Sequence, residues 1–475
     1  MSVTDKFIQQ IDANKAGLIK RLADAVAIPS VSGDARYRQD VFRMADWLVK
    51  ELEALGAKTE LKPLGKQKLD GKEIDLPPVI FADYGADPKK KTILVYGHFD
   101  VQPALKSDGW NTEPFELVHD EKTDRLYGRG STDDKGPVLG WINVIEAHKQ
   151  AGIELPVNLK FCLEGMEESG SEGLDDLIVA EKDKFFAGVD AACISDNYWL
   201  GTKKPCLTHG LRGISYFKLS ISGPGSDLHS GIFGGIVHEP MTDLFHIMSS
   251  LVTPTGEILV PGIKELVDPL TDEERKRYEV MEFGVKDMNE ATGSATTISD
   301  EKEGILMARM RYPSLSLHGV EGAFYEAGTK TVIPAKVIGK FSVRLVPSMT
   351  PDKVAELVIK HVQSEFKKLG SKNTMNIELA NAGKPWLADP NHWNYAAAIK
   401  ATEKVYGVKP DLTREGGSIP VALSFSEVLG KNLLLLPLGR ADDGAHSTNE
   451  KLDLSNYVEG TKLLGVYLHE IAATA

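Results

Sequence analysis

The feature of this 475-residue sequence that most restricts its fold is an alternation of short apolar runs with longer amphipathic segments. The runs TILVYGHFD, VNLKFCLEG and DAACISD have the length of strands, and segments of helical periodicity such as DKGPVLGWINVIEAHKQAG separate them. Buried strands that alternate with helices are typical of a mainly parallel sheet with helices on both faces. The sequence therefore predicts an α/β fold for this part of the chain.

This pattern stops near Pro205 and resumes near Trp386. Between these positions, GISYFKLSISG and FSVRLVP alternate apolar and polar residues, as strands do in a sheet with one solvated face. We therefore expect an inserted α+β domain over residues 208–383, between the two parts of one catalytic domain, residues 1–207 and 384–475. The region up to Leu55 is predicted to form two amphipathic helices separated by IPSVSGD.

Composition excludes several classes of protein. The 55 basic and 68 acidic residues give a net charge of −13, so a nucleic-acid partner is not expected. Three cysteines are too few for a disulfide framework and indicate buried thiols in a reducing compartment. No apolar run reaches the roughly 18 residues of a membrane span, and the N-terminus lacks the apolar region of a signal peptide. We expect a cytoplasmic protein without membrane association.

Residues of metal-ligand and acid–base type follow the predicted strands. These residues are His98, Asp100, Asp133, Asp134, Glu167, Glu168, Asp196 and His446. Ligands of open α/β sheets bind at the carboxyl ends of the strands, so these side chains are expected to meet at one edge. A lone histidine in such a place is more often structural, and pairs such as DD and EE are usually solvated turns. Their co-location is the informative feature.

So many carboxylates at one edge would repel one another unless cations neutralised them. Imidazole together with carboxylate suits Zn²⁺, Mn²⁺ or Co²⁺ better than Ca²⁺. Carboxylates that are not needed as ligands can accept a proton or orient a histidine. The residues alone thus predict a metal site with an adjacent base.

Seven motifs, in order along essentially the whole chain, resemble one family. They are HFDVQP, GRGSTDDKGP, EGMEESGSEG, SDNYW, DLHSGIFGG, REGGSIP and GAHSTNE. They resemble the carnosinase-like dinuclear metallopeptidases, a family that includes cytosolic non-specific dipeptidases and fungal Cys-Gly metallodipeptidases. The resemblance implies a homodimeric, cytoplasmic peptide hydrolase with two divalent metal ions per subunit, Zn²⁺ or Mn²⁺. Its expected substrates are dipeptides with free ends, such as Xaa-Gly, and Cys-Gly in glutathione degradation.

The same resemblance implies the roles of individual residues. Asp133 would bridge the two metals, with His98 and Asp196 completing one site and Glu168 and His446 the other. Such a bridge suits a two-metal hydrolytic site. The resemblance further implies that Glu167 is the general base and that Asp100 orients His98 through its ring N–H. Asp134 begins a predicted helix, where a carboxylate is favoured at the positive end of the dipole, so we expect a structural role for it.

For the inserted domain, the resemblance implies a lid that also forms the dimer interface. His229 and Thr331 would reach the active site of the partner subunit, where His229 would stabilise the oxyanion. Arg344 and Ser418 would hold the terminal carboxylate of the substrate. Relatives often have histidine where this chain has Asn381, which we interpret as a change in substrate preference.

Two other functions stay open at this point. An N-acyl amino-acid deacylase or a carboxypeptidase could use the same fold and metals with a pocket open on the acyl side. A non-catalytic relative retained for binding is the alternative of another class, although all the expected ligands and the expected base are present. A requirement for a free α-amine would separate the dipeptidase from the deacylase.

Overall fold

The computed structural model describes residues 2–69, 71–417 and 419–474. The chain divides into two compact units. The first unit comprises Met1–His209, Ala388–Thr413 and Ser424–Ala475. The second comprises Gly210–Leu387 and a short return segment, Arg414–Leu423.

The helices are α1 Val3–Ala13, α2 Lys15–Val26, α3 Arg38–Leu55, α4 Lys135–Gln150, α5 Leu174–Glu181, α6 Ser230–Phe233, α7 Pro240–Ser249, α8 Asp272–Val280, α9 Val285–Thr292, α10 Lys302–Met310, α11 Pro351–Leu369, α12 Trp393–Tyr406, α13 Pro420–Leu429 and α14 Leu454–Ala472. The strands are β1 Lys58–Lys62, β2 Lys66–Leu69, β3 Lys72–Asp75, β4 Val79–Tyr84, β5 Thr92–His98, β6 Val118–Asp120, β7 Arg125–Tyr127, β8 Asn158–Glu164, β9 Ala191–Ile194, β10 Cys206–Leu211, β11 Gly213–Ser222, β12 Leu228–His229, β13 Ser314–Glu321, β14 Val332–Ile333, β15 Lys336–Leu345, β16 Thr374–Gly383, β17 Trp386–Leu387, β18 Asp411–Glu415, β19 Leu433–Leu435 and β20 Lys451–Asp453.

The main sheet of the first unit has the strand order β1-β4-β8-β5-β9-β19-β10. Its centre, β8-β5-β9-β19, is parallel, and the strands on both flanks are antiparallel. The predicted α/β class is confirmed, and the sheet is mixed, with the parallel part at its centre. The central strands are buried along almost their whole length, as a sheet covered on both faces requires.

The helices of the first unit differ in how much of their surface is buried. Most residues of α4 and α14 are buried, so the apolar residues of these helices are not confined to one face. The N-terminal region forms three helices instead of the predicted two, because the first predicted helix is divided at Asn14. Asparagine competes for backbone hydrogen bonds and therefore favours helix ends over helix interiors. The stretch between β1 and β4 contains the hairpin β2–β3.

The second unit is built on a four-stranded antiparallel sheet of order β13-β15-β11-β16. Alternate residues of β11 are buried, which confirms the predicted amphipathic strand. Helices α7 and α11 pack on the buried face, over a core that includes Phe217, Phe341 and Val358. The stretch between α7 and β14, which the sequence pattern left without elements, contains α8, α9, α10 and β13. Helix α8 is strongly polar, so it offers little apolar periodicity to detect.

Among the described residues, no helix combines the length and the apolar character needed to cross a bilayer.

Candidate metal centre

Three neighbouring strands of the parallel sheet deliver the polar side chains to one edge. Strand β5 ends at His98, β9 ends two residues before Asp196, and β8 leads into the short 3₁₀ turn Glu167–Ser169. Because β8, β5 and β9 are adjacent and parallel, their carboxyl ends lie side by side. Asp133 comes from the start of α4 and His446 from the loop after β19, so these two residues do not follow strands of this sheet directly.

The first group of potential ligands contains His98, Asp133 and Asp196. The Nε2 atom of His98 lies 3.1 Å from Oδ1 of Asp133 and 3.7 Å from Oδ2 of Asp196. His98 is fully buried, and the ligand atoms of the three residues all lie within 4.8 Å of one another. This spacing is compatible with one cation held by all three.

The second group shares Asp133 with the first. The Nε2 atom of His446 lies 3.0 Å from Oδ2 of Asp133 and 3.0 Å from Oε2 of Glu168. Asp133 therefore turns one carboxylate oxygen towards each group. His446 is more than half exposed, so this side of the arrangement is open to solvent. We call the five residues the histidine–carboxylate cluster.

Asp100 connects the two strand ends behind this cluster. Its Oδ1 atom lies 3.3 Å from Nδ1 of His98, on the opposite side of the ring from the other carboxylates. The same carboxylate accepts the backbone N–H groups of Glu167 and Glu168, at 3.2 and 3.0 Å. Asp100 thus fixes both the ring of His98 and the turn that carries the two glutamates.

The electrostatics of the cluster reflect an excess of carboxylates. Burial raises the pKa of Glu167 to about 9, and the charges of Asp196, Asp100 and Glu168 act in the same direction, against His98. Burial also raises the pKa of Asp196 to about 6. Hydrogen bonds to Asp133 and Glu168 raise the pKa of His446 to about 10. The isolated protein chain therefore favours bound protons at positions where divalent cations would supply the same positive charge.

The donor set fits such cations. Each group offers one imidazole nitrogen and carboxylate oxygens, a combination that suits Zn²⁺, Mn²⁺ or Co²⁺. The shared Asp133 matches the bridging carboxylate of two-metal hydrolytic sites. Glu167 lies next to the two groups and belongs to neither, so its carboxylate is available for proton transfer.

Glu450 is a buried residue whose role the sequence pattern did not reveal. Its carboxylate accepts the backbone N–H groups of Gly130, Thr132 and Asp133, at 3.0 to 3.1 Å, and the Nη1 group of Arg129 at 2.8 Å. It thereby holds the loop that presents Asp133. In the sequence, Glu450 is marked only by its position four residues after His446. A solvated glutamate in the same loop would have that position too, so the sequence did not identify its role.

The turn from this loop into α4 is equally constrained. The Asp133–Asp134 peptide bond is cis, and Oδ2 of Asp134 accepts the backbone N–H of His98 at 3.1 Å. Asp134 therefore ties the turn to the end of β5, consistent with the structural role expected for it. A Cβ atom on Gly136 would lie 2.1 Å from the carbonyl oxygen of Ser131, which explains the glycine in the DDKGP motif.

A third acidic group, Asp442, Asp443 and Asp453, meets the same spacing criterion. Here the ammonium group of Lys451 lies between the carboxylates, 2.9 Å from Asp442 and 2.6 Å from Asp443, and it also contacts Asp453. Oδ2 of Asp443 additionally accepts the hydroxyl of Thr132 at 2.8 Å. We call this group the Lys451 cluster, because a lysine supplies its cation.

The residues expected to bind substrate lie in the second unit or outside the described residues. His229 is exposed on β12, where it pairs with Val332 of β14, and the carbonyl of Thr331 accepts the N–H of Ser230 at 3.3 Å. The structure therefore brings His229 and Thr331 together. Arg344, on β15, is half-buried and has no acidic partner among residues 2–69, 71–417 and 419–474. Ser418 lies outside the described residues.

Comparisons with known proteins show which proteins this chain resembles. The sequence profile of peptidase family M20/M25/M40 matches residues 94–470. The chain is 55% identical to the Cys-Gly metallodipeptidase dug1 of Schizosaccharomyces pombe, over 99% of each chain. It is 46% identical to the Beta-Ala-His dipeptidase of Homo sapiens, over 99% of this chain and 93% of that protein. The solved structure of the dipeptidase Dug1p from Saccharomyces cerevisiae matches all of both chains with a TM-score of 0.89 and 54% identity.

Proposed function

This chain belongs to peptidase family M20/M25/M40 and is a metallodipeptidase, and we propose that its reaction depends on two divalent cations, Zn²⁺ or Mn²⁺, and on Glu167. The observation that carries the proposal is the pair of ligand groups that share Asp133, with Glu167 beside them. His98 and Asp196 would hold one cation, and Glu168 and His446 the other. Bound cations of this kind polarise a carbonyl group and lower the pKa of a water molecule.

In this proposal Glu167 moves the proton. Its carboxylate takes a proton from the attacking water and later delivers it to the amine that leaves the cleaved peptide bond. Asp100 accepts the backbone N–H of Glu167 and thus keeps the carboxylate beside the ligand groups. Asp100 also accepts the Nδ1 proton of His98, which leaves Nε2 with a free lone pair for a metal.

We propose dipeptides with free amino and carboxyl ends as substrates, and Cys-Gly as the physiological one. The support is the identity of 55–57% to three fungal proteins named Cys-Gly metallodipeptidase, over 97–99% of this chain. A role in glutathione degradation, in the cytoplasm, follows from that substrate. Arg344 and Ser418 would bind the substrate carboxylate.

We further propose that the inserted domain, residues 208–383, is a lid and the interface of a homodimer. His229 and Thr331 of one subunit would then serve the active site of the other, with His229 stabilising the oxyanion of the intermediate. The exposure of both residues is compatible with that role. A monomeric variant that stays folded should then be inactive, and normal hydrolysis by such a monomer would contradict this part of the proposal.

The test is a hydrolysis assay on protein stripped of metal by a chelator. Cys-Gly, Ala-Gly, carnosine and N-acetyl-Ala are each supplied with Mn²⁺ or Zn²⁺ added back. We expect metal-dependent cleavage of the free dipeptides, with Cys-Gly ranked first, and no cleavage of N-acetyl-Ala. Cleavage of N-acetyl-Ala alone would establish the deacylase instead.

A further inference from the structure

Arg212 is a buried arginine immediately before β11, with only 7% of its surface exposed. Its Nη2 group donates to the carbonyl oxygens of Ala308 and Tyr312, at the carboxyl end of α10, and its Nη1 group lies 3.3 Å from the hydroxyl of Ser314. Its Nε atom has no hydrogen-bond partner in the part of the chain that the structure describes. These contacts fix the guanidinium group in place.

The same site contains a second arginine, Arg344. In the β13–β15 ladder Ser314 is the direct partner of Arg344, and on the other side Ile214, two residues after Arg212, is its partner in β11. The hydroxyl that contacts Arg212 therefore lies beside Arg344, because directly opposed residues of antiparallel strands place their side chains on one face. Arg309, on α10, lies next to the carbonyl that Arg212 binds.

This concentration of positive charge has no internal counterion. Within residues 2–69, 71–417 and 419–474, no carboxylate forms an ion pair with Arg212, Arg309 or Arg344. Burial, together with the charges of Arg344 and Arg309, lowers the pKa of Arg212 to about 10. Burying a charge without a partner costs free energy, and an anion that reached the pair would recover part of that cost.

The chemistry of the pair selects a carboxylate as the anion. Guanidinium groups match planar carboxylates through paired hydrogen bonds, and they remain charged at neutral pH. The backbone at Gly416 passes close to Arg212, since a Cβ atom on this glycine would lie 3.9 Å from Nη1. Gly416 belongs to the REGGSIP turn, so Arg212 borders the turn that carries Ser418, one of the residues proposed to bind the substrate carboxylate.

We propose that Arg212 is a positioning and specificity-determining residue for the terminal carboxylate of the substrate. Its fixed charge repels the guanidinium of Arg344 towards the substrate and increases the attraction of that subsite for an anion. This inference rests on the proposed function, in which Arg344 binds the carboxylate. Arg212 thereby makes the free carboxylate a requirement and disfavours peptides whose carboxyl end is blocked.

The experiment compares Ala-Gly with Ala-Gly-amide, which lacks the terminal negative charge. Steady-state kinetics are measured for the metal-loaded wild-type enzyme and for Arg212→Gln and Arg212→Lys. The matched control is Lys218→Gln, which removes one positive charge from the same strand, β11. We expect Arg212→Gln to raise KM for Ala-Gly about tenfold, with kcat within about twofold and KM for the amide unchanged. Arg212→Lys keeps the charge and should retain most of the preference for Ala-Gly.

Two results would overturn the proposal. Equal changes for Ala-Gly and its amide would mean that Arg212 acts only through the fold of the lid. An unchanged KM for Ala-Gly in Arg212→Gln would mean that its charge does not reach the substrate. If Arg212→Gln does not fold, Arg212→Lys decides, because loss of the preference for Ala-Gly despite a retained charge contradicts the mechanism.

A binding measurement separates this inference from the proposed function. In a Glu167→Gln background the metal-loaded protein is expected to bind Ala-Gly without cleaving it, so calorimetry gives Kd directly. Arg212→Gln in that background should weaken the binding of Ala-Gly about tenfold and leave that of the amide unchanged. Failure of the wild-type enzyme to cleave any dipeptide would refute the proposed function, whereas equal Kd values with and without Arg212 would refute this inference alone.

Discussion

The first unit contains two clusters of carboxylates with ligand-like spacing. The repulsion between the carboxylates is compensated in a different way in each cluster. In the Lys451 cluster an ammonium group of the chain itself lies between three aspartates. In the histidine–carboxylate cluster no lysine or arginine among the described residues lies between the carboxylates, and the two histidines carry raised pKa values instead. The first cluster is complete as a structural element, whereas we propose that the second is completed by cations from outside the chain.

This difference shows that the spacing of carboxylates alone is a weak indicator of a metal site. Both clusters satisfy the same distance criterion, and only the identity of the nearest cationic side chain separates them. Imidazole can give up its proton and bind a metal, whereas a lysine ammonium in an ion pair keeps its protons at neutral pH. The question to ask of an acidic cluster is therefore which group already supplies its positive charge.

The largest expected effect concerns Glu167, the proposed base beside the histidine–carboxylate cluster. Glu167→Gln keeps the shape of the side chain but removes its ability to accept a proton, so kcat should fall by about 10³-fold. Metal content, measured by atomic emission, should stay that of the wild-type protein. The matched control is Glu172→Gln, five residues further along the same loop, which should leave kcat unchanged. Full activity of Glu167→Gln would show that another group is the base.

The next effect tests the internal cation of the Lys451 cluster. Lys451→Met leaves the buried Asp443 without a cationic partner, although Arg125 still pairs with Asp442 and Arg440 with Asp453. The free energy of unfolding should therefore fall by about 3–5 kcal/mol. Urea denaturation measures the change, and Lys462→Met, at a more exposed ion pair, is a control with a smaller expected loss. If the variant instead kept full stability and bound an additional divalent cation, the Lys451 cluster would also be able to act as a metal site. That result would contradict the difference drawn between the two clusters.

A smaller effect is expected where Glu450 supports the histidine–carboxylate cluster from behind. Glu450→Gln replaces one of the accepting oxygens with an N–H donor that faces other donors, so the loop carrying Asp133 should loosen. We expect metal affinity to fall by about 10–100-fold, as calorimetric titration of the metal-free protein would measure. Glu459→Gln, in a partly exposed ion pair with Lys462, serves as the control. Unchanged affinity would assign Glu450 to the stability of the fold alone.

The smallest effect is a dependence on pH that only one cluster should show. In the metal-free protein the pKa of His446 is raised to about 10, so its ring carries a proton at neutral pH. Metal binding requires the neutral ring and releases this proton, and metal affinity should therefore rise as pH rises towards 10. Calorimetry in two buffers of different ionisation enthalpy measures the released protons. His119→Gln, which alters a partly exposed histidine outside the cluster, should not change that number, whereas His446→Gln should reduce it.

The sequence predicted the parts of the fold and the site that depend on local pattern. Apolar runs such as TILVYGHFD identify buried strands because a strand covered on both faces must be apolar throughout. The motifs that follow these strands contain the residues that the structure brings together at the sheet edge, so their proximity was predicted from the sequence. Helices α8 and α9 were not predicted, because they are short and mostly polar, and propensity alone identifies such helices poorly.

Residues that act through long-range contacts escaped prediction for a different reason. Glu450 accepts from a loop more than 300 residues earlier in the chain, and no local pattern encodes such a partner. Arg212 was indistinguishable from a surface arginine in the sequence, since only the folded chain shows that it is buried beside Arg344. The role of Lys451 as a counterion likewise could not be predicted, because it depends on which carboxylates surround it in the folded chain.

The position of Glu450 in the chain has a consequence for the synthesis of the protein. This residue holds Asp133 from a point 317 residues later, and His446 lies in the same late segment. A nascent chain in which this segment is still inside the ribosome has neither the second histidine of the proposed centre nor the support of the Asp133 loop. On that assignment, translation order delays assembly of the centre until the segment with His446 and Glu450 has emerged.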